Sequence, residues 1–245
     1  MTVRLVKYKI PVLDHGYVVL RNLAGPTRRD DEIGRSFDAD DTDPANAARM
    51  SFDQTDSGRT HEMDMKLANY LMKNKHTTPF EMVEVWCEMK LPIFVARQFV
   101  RHRTVSINEV SGRYIQLPAE WYIPEVVGGK PVNAKQGQSD GLDSDVQDWF
   151  KTELDHACAS AYAVYQQAID KGVAMEHARL CLHVNHYTHW MWKQNLHNLM
   201  HFMSLRDHSH AQIEAQAYGK AVDELVRQHL PETMALYDQY RKLPS

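Results

Sequence analysis

Cysteine is scarce in this 245-residue chain: Cys87, Cys158 and Cys181 are an odd number without metal-type spacing. That excludes a scaffold stapled by disulfides. Long apolar runs are also missing. Arg, His or Lys interrupts the most apolar windows well short of the roughly 20 residues a membrane span needs. The opening residues, MTVRLVKYKIPVLDHG, lack the continuous apolar segment of a secretory leader, so a soluble, cytoplasmic protein is expected. No Gly-x-Gly-x-x-Gly follows a strand pattern, which removes the Rossmann route to a dinucleotide. Charge of one sign does not dominate either. Lys and Arg total 28 against 32 Asp and Glu, a net −4, unlike a surface built throughout to hold DNA or RNA.

What remains is ordinary for a soluble protein: 43% hydrophobic and 24% charged residues, enough for a real core. Val3 to Ile10 and Tyr17 to Leu23 read as strands joined by Asp14-His15-Gly16. Arg28 to Asp43, charged and poor in large apolar residues, reads as a loop. Asp43-Pro44 then opens a short helix over Ala45 to Met50, with Asp43 as its cap. A longer helix fits His61 to Asn74 and must stop before Thr78-Pro79. Glu81 to Leu91 alternates Val83, Val85, Cys87, Met89 and Leu91 on one face, a strand pattern.

Pro92 opens a helix over Ile93 to Arg101. Gly128 to Ser144 is an exposed loop by composition. Asp148 to Lys171 is a helix closed by Gly172, and Met175 to Leu182 a short one. Asn185 to Lys193 reads as a strand and Leu196 to Leu205 as a helix. A last long helix starts at Ser209, with Gln212 completing a capping box and Ile213, Ala217, Ala221 and Leu225 forming its stripe. Strands early and helices late predict an α+β fold, a single domain over 1–245 with a central β-sheet flanked by helices.

The chemistry concentrates in Gln98 to Tyr114, QFVRHRTVSINEVSGRY. Arg101, His102 and Arg103 are adjacent, and Arg113 follows with one acid, Glu109, between. The arginine fork donates two parallel charge-assisted bonds and so suits phosphate. Ser106, Asn108 and Ser111 add neutral donors and acceptors for a base or sugar. A solvated basic loop is the plain alternative, since exposed charge clusters are common and weak. Against it, the triplet lies between the apolar IFVARQFV and Tyr114, near enough to a core that its polar groups need partners.

At these residues the chain resembles the flavin-dependent thymidylate synthases, whose signature is Arg-His-Arg, seven residues, then Ser. Here Arg101-His102-Arg103 is followed by Thr104 to Val110 and Ser111, with Asn108-Glu109 and Arg113-Tyr114 flanking the serine. Ala48 to Phe52 and His76 to Glu81 resemble family elements too. So do Ala178-Arg179, Tyr187-Thr188, Asn195, Leu205-Arg206 and Ser209 to Gln212. The resemblance runs from about Leu13 to about Lys242, nearly the whole chain. There are departures. His183 stands where the family usually has proline, His201 is a mild variation, and Gly128 to Ser144 matches nothing in the family.

The resemblance implies methylation of dUMP to dTMP, with 5,10-methylenetetrahydrofolate as carbon donor and FAD, re-reduced by NADPH, as hydride carrier. It places Arg101, His102 and Arg103 on the FAD pyrophosphate and adenosine, and Thr78, Glu109, Asn195, His197 and His201 at the flavin. It places Gln98, Arg101, Glu109, Ser111, Gly112, Arg113, Arg179 and Arg206 around dUMP. Arg206 is the implied activating residue beside the uracil ring, and His76 lines the face where folate and NADPH approach. A homotetramer with sites shared between subunits is implied as well, without nucleic acid or membrane as partner.

Such chemistry needs electron density at C5 of uracil. A thiolate adding at C6 is one route to it; the other polarises the ring and delivers hydride from reduced flavin, with arginine stabilising the developing charge. Cys87 and Cys158 read as buried packing residues, which leaves Cys181 as the one thiol near Arg179. Ser111 has no implied base beside it and reads as a binding residue rather than a nucleophile.

Two other classes compete. Among the 14 histidines, His197 and His201 are one helical turn apart and could chelate zinc in a hydrolase, but no His-Glu-x-x-His accompanies them. A nucleic-acid module could use the arginines, but such modules spread basic residues over a face.

Overall fold

The computed structural model describes residues 8–31, 34–53, 59–131, 137–208 and 211–243. Its strands are β1 (Lys9–Val12), β2 (Gly16–Asp31), β3 (Gly34–Asp38), β4 (Glu84–Pro92), β5 (Val105–Glu109) and β6 (Tyr187–Asn195). They form one antiparallel sheet in the order β1-β2-β4-β6-β5, with β3 also paired to β2. The helices are α1 (Asp43–Arg49), α2 (His61–Lys73), α3 (Thr78–Glu81), α4 (Ile93–Phe99), α5 (Ser144–Asp170), α6 (Met175–Ala178), α7 (Leu196–Arg206), α8 (Ile213–His229) and α9 (Pro231–Tyr240). This is the expected α+β architecture, and none of the helices, among the described residues, is long and apolar enough to cross a membrane.

Alternation in β4 decides which face of the sheet is covered. Val85, Cys87, Met89 and Leu91 are fully buried, and they pair across the ladder with β6, where Cys87 faces Trp192 and Met89 faces Trp190. Val18 and Leu20 of β2 continue that face. Against it pack Val95 and Phe99 of α4, Leu199, Phe202 and Met203 of α7, and Tyr218, Val222 and Leu225 of α8, all in one core cluster. Phe202 meets Phe99 edge-on at 4.8 Å and Trp192 at 5.3 Å between ring centroids. The opposite face carries Tyr17, Arg21, Glu88 and His189, with Glu88 accepting from Tyr17, Arg21 and His189.

The β1–β2 hairpin turns where expected: Val12 faces Gly16 and Leu13 takes the left-handed conformation at φ 58°. Gly16 is required there, because a Cβ would lie 2.6 Å from the Val12 carbonyl oxygen and 2.8 Å from that of Lys90. Val3 to Lys7 of the expected first strand fall outside the described residues. The loop expected over Arg28 to Asp43 is instead a β-ribbon, in which Arg29, Asp30 and Asp31 pair with Ser36, Arg35 and Gly34. Ladder bonds are made by backbone, so a ribbon needs no apolar face and leaves no hydrophobic signal.

Asp43 is likewise not the cap of α1, whose N-cap is Thr42. Its buried carboxylate accepts the backbone N–H groups of Thr27 and Asp40, at 3.1 and 2.9 Å, and ties the ribbon to α1.

Other boundaries shift for local reasons. The expected strand at Glu81 begins at Glu84, because Pro79 sits in the first turn of α3, where its missing N–H costs nothing. α5 begins at Ser144 and ends ahead of Gly172 at φ 82°. α8 begins at Ile213 rather than Ser209, which lies outside the described residues. Gln212 is the N-cap without a side-chain cap, and its amide oxygen accepts from Gln98 Nε2 at 2.6 Å. The α8 stripe also drifts from a strict fourth-residue repeat. Ile213 is 57% exposed while Ala215, Tyr218, Val222 and Val226 are buried, as a 3.6-residue turn requires.

α9 has no counterpart among the sequence expectations. Pro231 opens it, and Asp41 accepts the N–H groups of Glu232 and Thr233 at 3.2 and 2.7 Å, capping it from a distance in sequence. Removing that cap in Asp41→Ala is expected to lower unfolding free energy by about 1 kcal/mol, measured by urea titration, while Asp41→Asn retains most of it. Equal stability of the Ala variant and the parent would show that α9 does not depend on this contact.

Candidate active site

The site grows out of the strand-to-helix switch at Asn195. β6 ends there, and the Asn195 side chain accepts the Asn198 N–H at 2.9 Å, capping α7. The Leu196 N–H donates to the Val83 carbonyl at 2.8 Å and pins the junction to the β4 side. α7 then carries His197 and His201 one turn apart and ends on Arg206. On the facing side, α4 ends at Phe99 and the chain turns through Arg101-His102-Arg103 into β5. Thr104 closes that turn with φ 62°, an unfavourable left-handed conformation for a β-branched residue. Buried Gln194 holds the turn by donating from Nε2 to the Arg103 carbonyl at 3.2 Å.

Across this gap Arg206 makes the central contacts. Its Nε donates to His102 Nε2 at 3.0 Å, Nη2 donates to the Gln98 carbonyl at 3.1 Å, and Nη1 to Gln98 Oε1 at 3.4 Å. An arginine can only donate, so His102 must accept at Nε2 and carry its proton on Nδ1. Burial, and then the adjacent Arg206 charge, push the His102 imidazole down to about 4, so it is neutral at pH 7. Gly219 of α8 lets the end of α7 come this close, since a Cβ there would lie 3.2 Å from the Arg206 backbone carbon.

A second arginine–histidine contact lies further along α7. Arg241, just past α9, donates from Nη1 to His197 Nδ1 at 2.9 Å. His197 is therefore also held neutral, its protonation disfavoured by burial and by the Arg241 charge. That cation makes a poor neighbour for zinc at His197 and His201. Between these groups lies a cavity of about 310 Å³, lined by His197, Asn198, Met200, His201, Ser204 and Arg241.

A separate group forms at the far end of β5. Ser111, Gly112 and Arg113 follow that strand, and the Ser111 hydroxyl accepts the Arg113 N–H at 3.3 Å. Arg113 Nε reaches Glu176 at 3.5 Å, and a Cβ at Gly112 would touch the Arg179 side chain at 3.4 Å. Glu109 accepts from Thr188 at the same end.

Comparison with known proteins now bears on this arrangement. Residues 34–232 match the family described as "Thymidylate synthase complementing protein". A flavin-dependent thymidylate synthase of Ehrlichia ruminantium (strain Gardel) is 38% identical over 231 residues, spanning 94% of this chain and 72% of that one. The chain belongs to the flavin-dependent thymidylate synthase family. The enzyme of that name from Thermus thermophilus is 39% identical over 231 residues, 94% of this chain and 78% of its own. In structure the chain resembles a UMP/dUMP methylase, PolB from Streptomyces cacaoi, crystallised with 5-Br dUMP. The TM-score is 0.80 at 27% identity, over 96% of this chain and all of that one.

Of the residues singled out from the sequence, the structure brings Gln98, His102, Arg206 and Gln212 into one hydrogen-bonded chain, with His102 and His201 ring centroids 6.4 Å apart. His102 faces inward, whereas Arg101 and Arg103 are exposed. Arg101 is near enough to Arg206 to disfavour its charge, second to burial. Thr78 is exposed at the first residue of α3, and His76 is exposed edge-on to Tyr70 at 5.6 Å.

The family-like Ala48 to Phe52 proves to be a brace, in which buried Arg49 pairs with Asp64 of α2. His183, which replaces the family's usual proline, meets Cys158 Sγ through Nδ1 at 3.4 Å, and Asn185 meets the same sulfur. Cys158 is thus buried and partnered, while burial pushes the Cys87 thiol up to about 12. Arg241 was not foreseen. It lies past the final helix, and nothing in its local pattern separates it from a surface arginine.

Neutral buried histidines link stability to acid. His102, His186, His197 and His229 all have protonation disfavoured by burial. The unfolded chain takes up these protons below about pH 6.5 more readily than the folded chain. Their contribution is therefore full above that pH and is lost as pH falls, for His102 as pH approaches about 4. The urea midpoint is expected to fall between pH 7 and 5, and to fall less in His102→Gln. Identical pH dependence in the two proteins would remove His102 from this group.

Proposed function

We propose that this chain methylates C5 of dUMP to give dTMP, with Arg206 as the group that activates the uracil ring. The observation that carries this reading is the fixed guanidinium of Arg206, oriented by His102 and Gln98 and half-buried at the end of α7, the helix whose earlier turns line the cavity. A pre-oriented cation in a partly desolvated site stabilises charge as it develops on the uracil oxygens, with no reorganisation at the moment of reaction. A neutral His102 holds it without competing for that charge and acts as a positioning residue.

FAD is the flavin the family membership implies, and the residues here fit an anionic dinucleotide. The cavity lining contains Arg241, whose Nε and Nη2 are buried without a partner among the described residues, and no carboxylate. In the proposed assignment Arg101, His102 and Arg103 hold the pyrophosphate and adenosine, and Thr78, Glu109, Asn195, His197 and His201 border the flavin. When bound and reduced, the flavin supplies the hydride that completes the new methyl group. The carbon comes from 5,10-methylenetetrahydrofolate and the reducing equivalents from NADPH, approaching at His76.

For dUMP the proposed residues are Gln98, Arg101, Glu109, Ser111, Gly112, Arg113, Arg179 and Arg206. The edge strand β5 stands between two parts of this set. Val105 faces Gln194 near α7, whereas Glu109 faces Trp190, four residues or roughly 13 Å along the strand. One chain therefore presents Gln98 and Arg206 at one end and Ser111, Arg113 and Arg179 at the other. This separation supports a homotetramer in which each dUMP site takes one group from each of two subunits. α5 leaves room for such partners: of its 27 residues it buries Cys158 and Tyr165, and Trp149 is 63% exposed. A cytoplasmic location suits such an enzyme of nucleotide metabolism.

The direct test is product formation from dUMP with 5,10-methylenetetrahydrofolate, FAD and NADPH. Arg206→Ala is expected to lose at least about 100-fold in turnover while still binding FAD. Near-normal turnover would contradict the activating role. Running UMP beside dUMP separates a thymidylate synthase from a methylase that accepts both nucleotides.

A further inference from the structure

Arg241 holds a different position from the arginines of the signature. Its backbone is fixed by the end of α9, where its N–H donates to the Tyr237 carbonyl at 2.9 Å. α9 is itself anchored by Asp41 at one end and by the Tyr240 hydroxyl on Asn69 at the other. The Nη1 of Arg241 is spent on His197. Its Nε and Nη2, the two groups that form the side-on edge of the guanidinium, are buried and meet no acceptor among the described residues. The carboxylate nearest in the sequence of α7, Asp207, is taken by the adjacent Lys242 Nζ at 2.9 Å. The chain thus places a charged fork against a cavity and directs Asp207 to another cation. Buried donors without acceptors cost free energy, and this edge is the one that binds two neighbouring acceptor atoms in parallel.

We propose that Arg241 is a further cofactor-binding residue, whose open Nε/Nη2 edge takes an anionic, two-acceptor edge of the bound flavin cofactor. The proposal rests on the functional reading above. Two parts of FAD have this chemistry: the diphosphate, and the N1–C2 carbonyl edge of the isoalloxazine ring, which gains negative charge on reduction. His197, fixed by the same arginine with its proton on Nε2, presents a neutral donor to the same ligand.

The test is FAD affinity of the purified full-length protein in both redox states, with the midpoint potential of the bound flavin, for the parent, Arg241→Met and Arg241→Lys. The Met variant keeps the aliphatic stem, and its circular dichroism and Tm establish that it folds. Arg241→Met is expected to bind FAD about ten- to a hundredfold more weakly, a range set by a charge-assisted pair of hydrogen bonds, with partial recovery in Arg241→Lys. An equal loss for oxidised and reduced FAD assigns the fork to the diphosphate. A loss tenfold greater for reduced FAD, read as a potential about 30 mV lower for the two-electron couple, assigns it to the ring. A folded Arg241→Met that binds both forms as the parent does overturns the proposal alone. A parent that takes up no FAD overturns the functional reading and this proposal together.

Discussion

The site depends on one junction, the direct passage from β6 into α7 at Asn195. The β4–β6 ladder holds nine residue pairs in register, from Glu84↔Asn195 to Pro92↔Tyr187. Because that register places Trp190 and Trp192 on the covered face, it also fixes the point at which the chain must leave the sheet. Asn195 caps the helix that follows, and Leu196 bonds back to Val83, so α7 leaves in a set direction. Helical spacing then decides which side chains reach the gap towards α4. A one-residue slip of the ladder would exchange the faces of β6 and carry Arg206 away from His102.

Charge explains what this gap can hold. Arg206 and Arg241 each donate to a histidine, and each histidine is neutral because burial and the arginine beside it both oppose a second charge. Arg101 adds further positive potential near Arg206. The lining of the cavity at Arg241 contains no carboxylate. Half-buried arginines in this arrangement are complementary to phosphate, diphosphate and the anionic form of a conjugated ring, which are the charges that dUMP and reduced FAD carry. In the role proposed for Arg206, such a cation is already in place and need not be moved when charge appears on the uracil.

Much of this was legible in the sequence, for identifiable reasons. The alternation of Val85, Cys87, Met89 and Leu91 marked β4 because one of its faces is covered. Gly172 marked the end of α5 because only that residue type adopts its conformation at little cost. The Arg-His-Arg triplet and its serine were visible because their chemistry and spacing are unusual together. The failures have causes of the opposite kind. The ribbon after Ala24 is held by backbone bonds that carry no side-chain signature. Asp43 and Gln212 look like helix caps locally, but tertiary partners, Thr27 and Asp40 for one and Gln98 for the other, claim their side chains. Arg241 reaches His197 only through the packing of α9, a long-range relation that no local window contains.

The most direct measurement is the visible absorption spectrum of the purified protein, taken after incubation with FAD and removal of free ligand, and again after dUMP is added. Retained flavin bands that shift on addition of dUMP are the expected result, because the proposed assignment puts both ligands beside Arg206. A colourless protein, or bound flavin whose spectrum ignores dUMP, would contradict the placement of both ligands there.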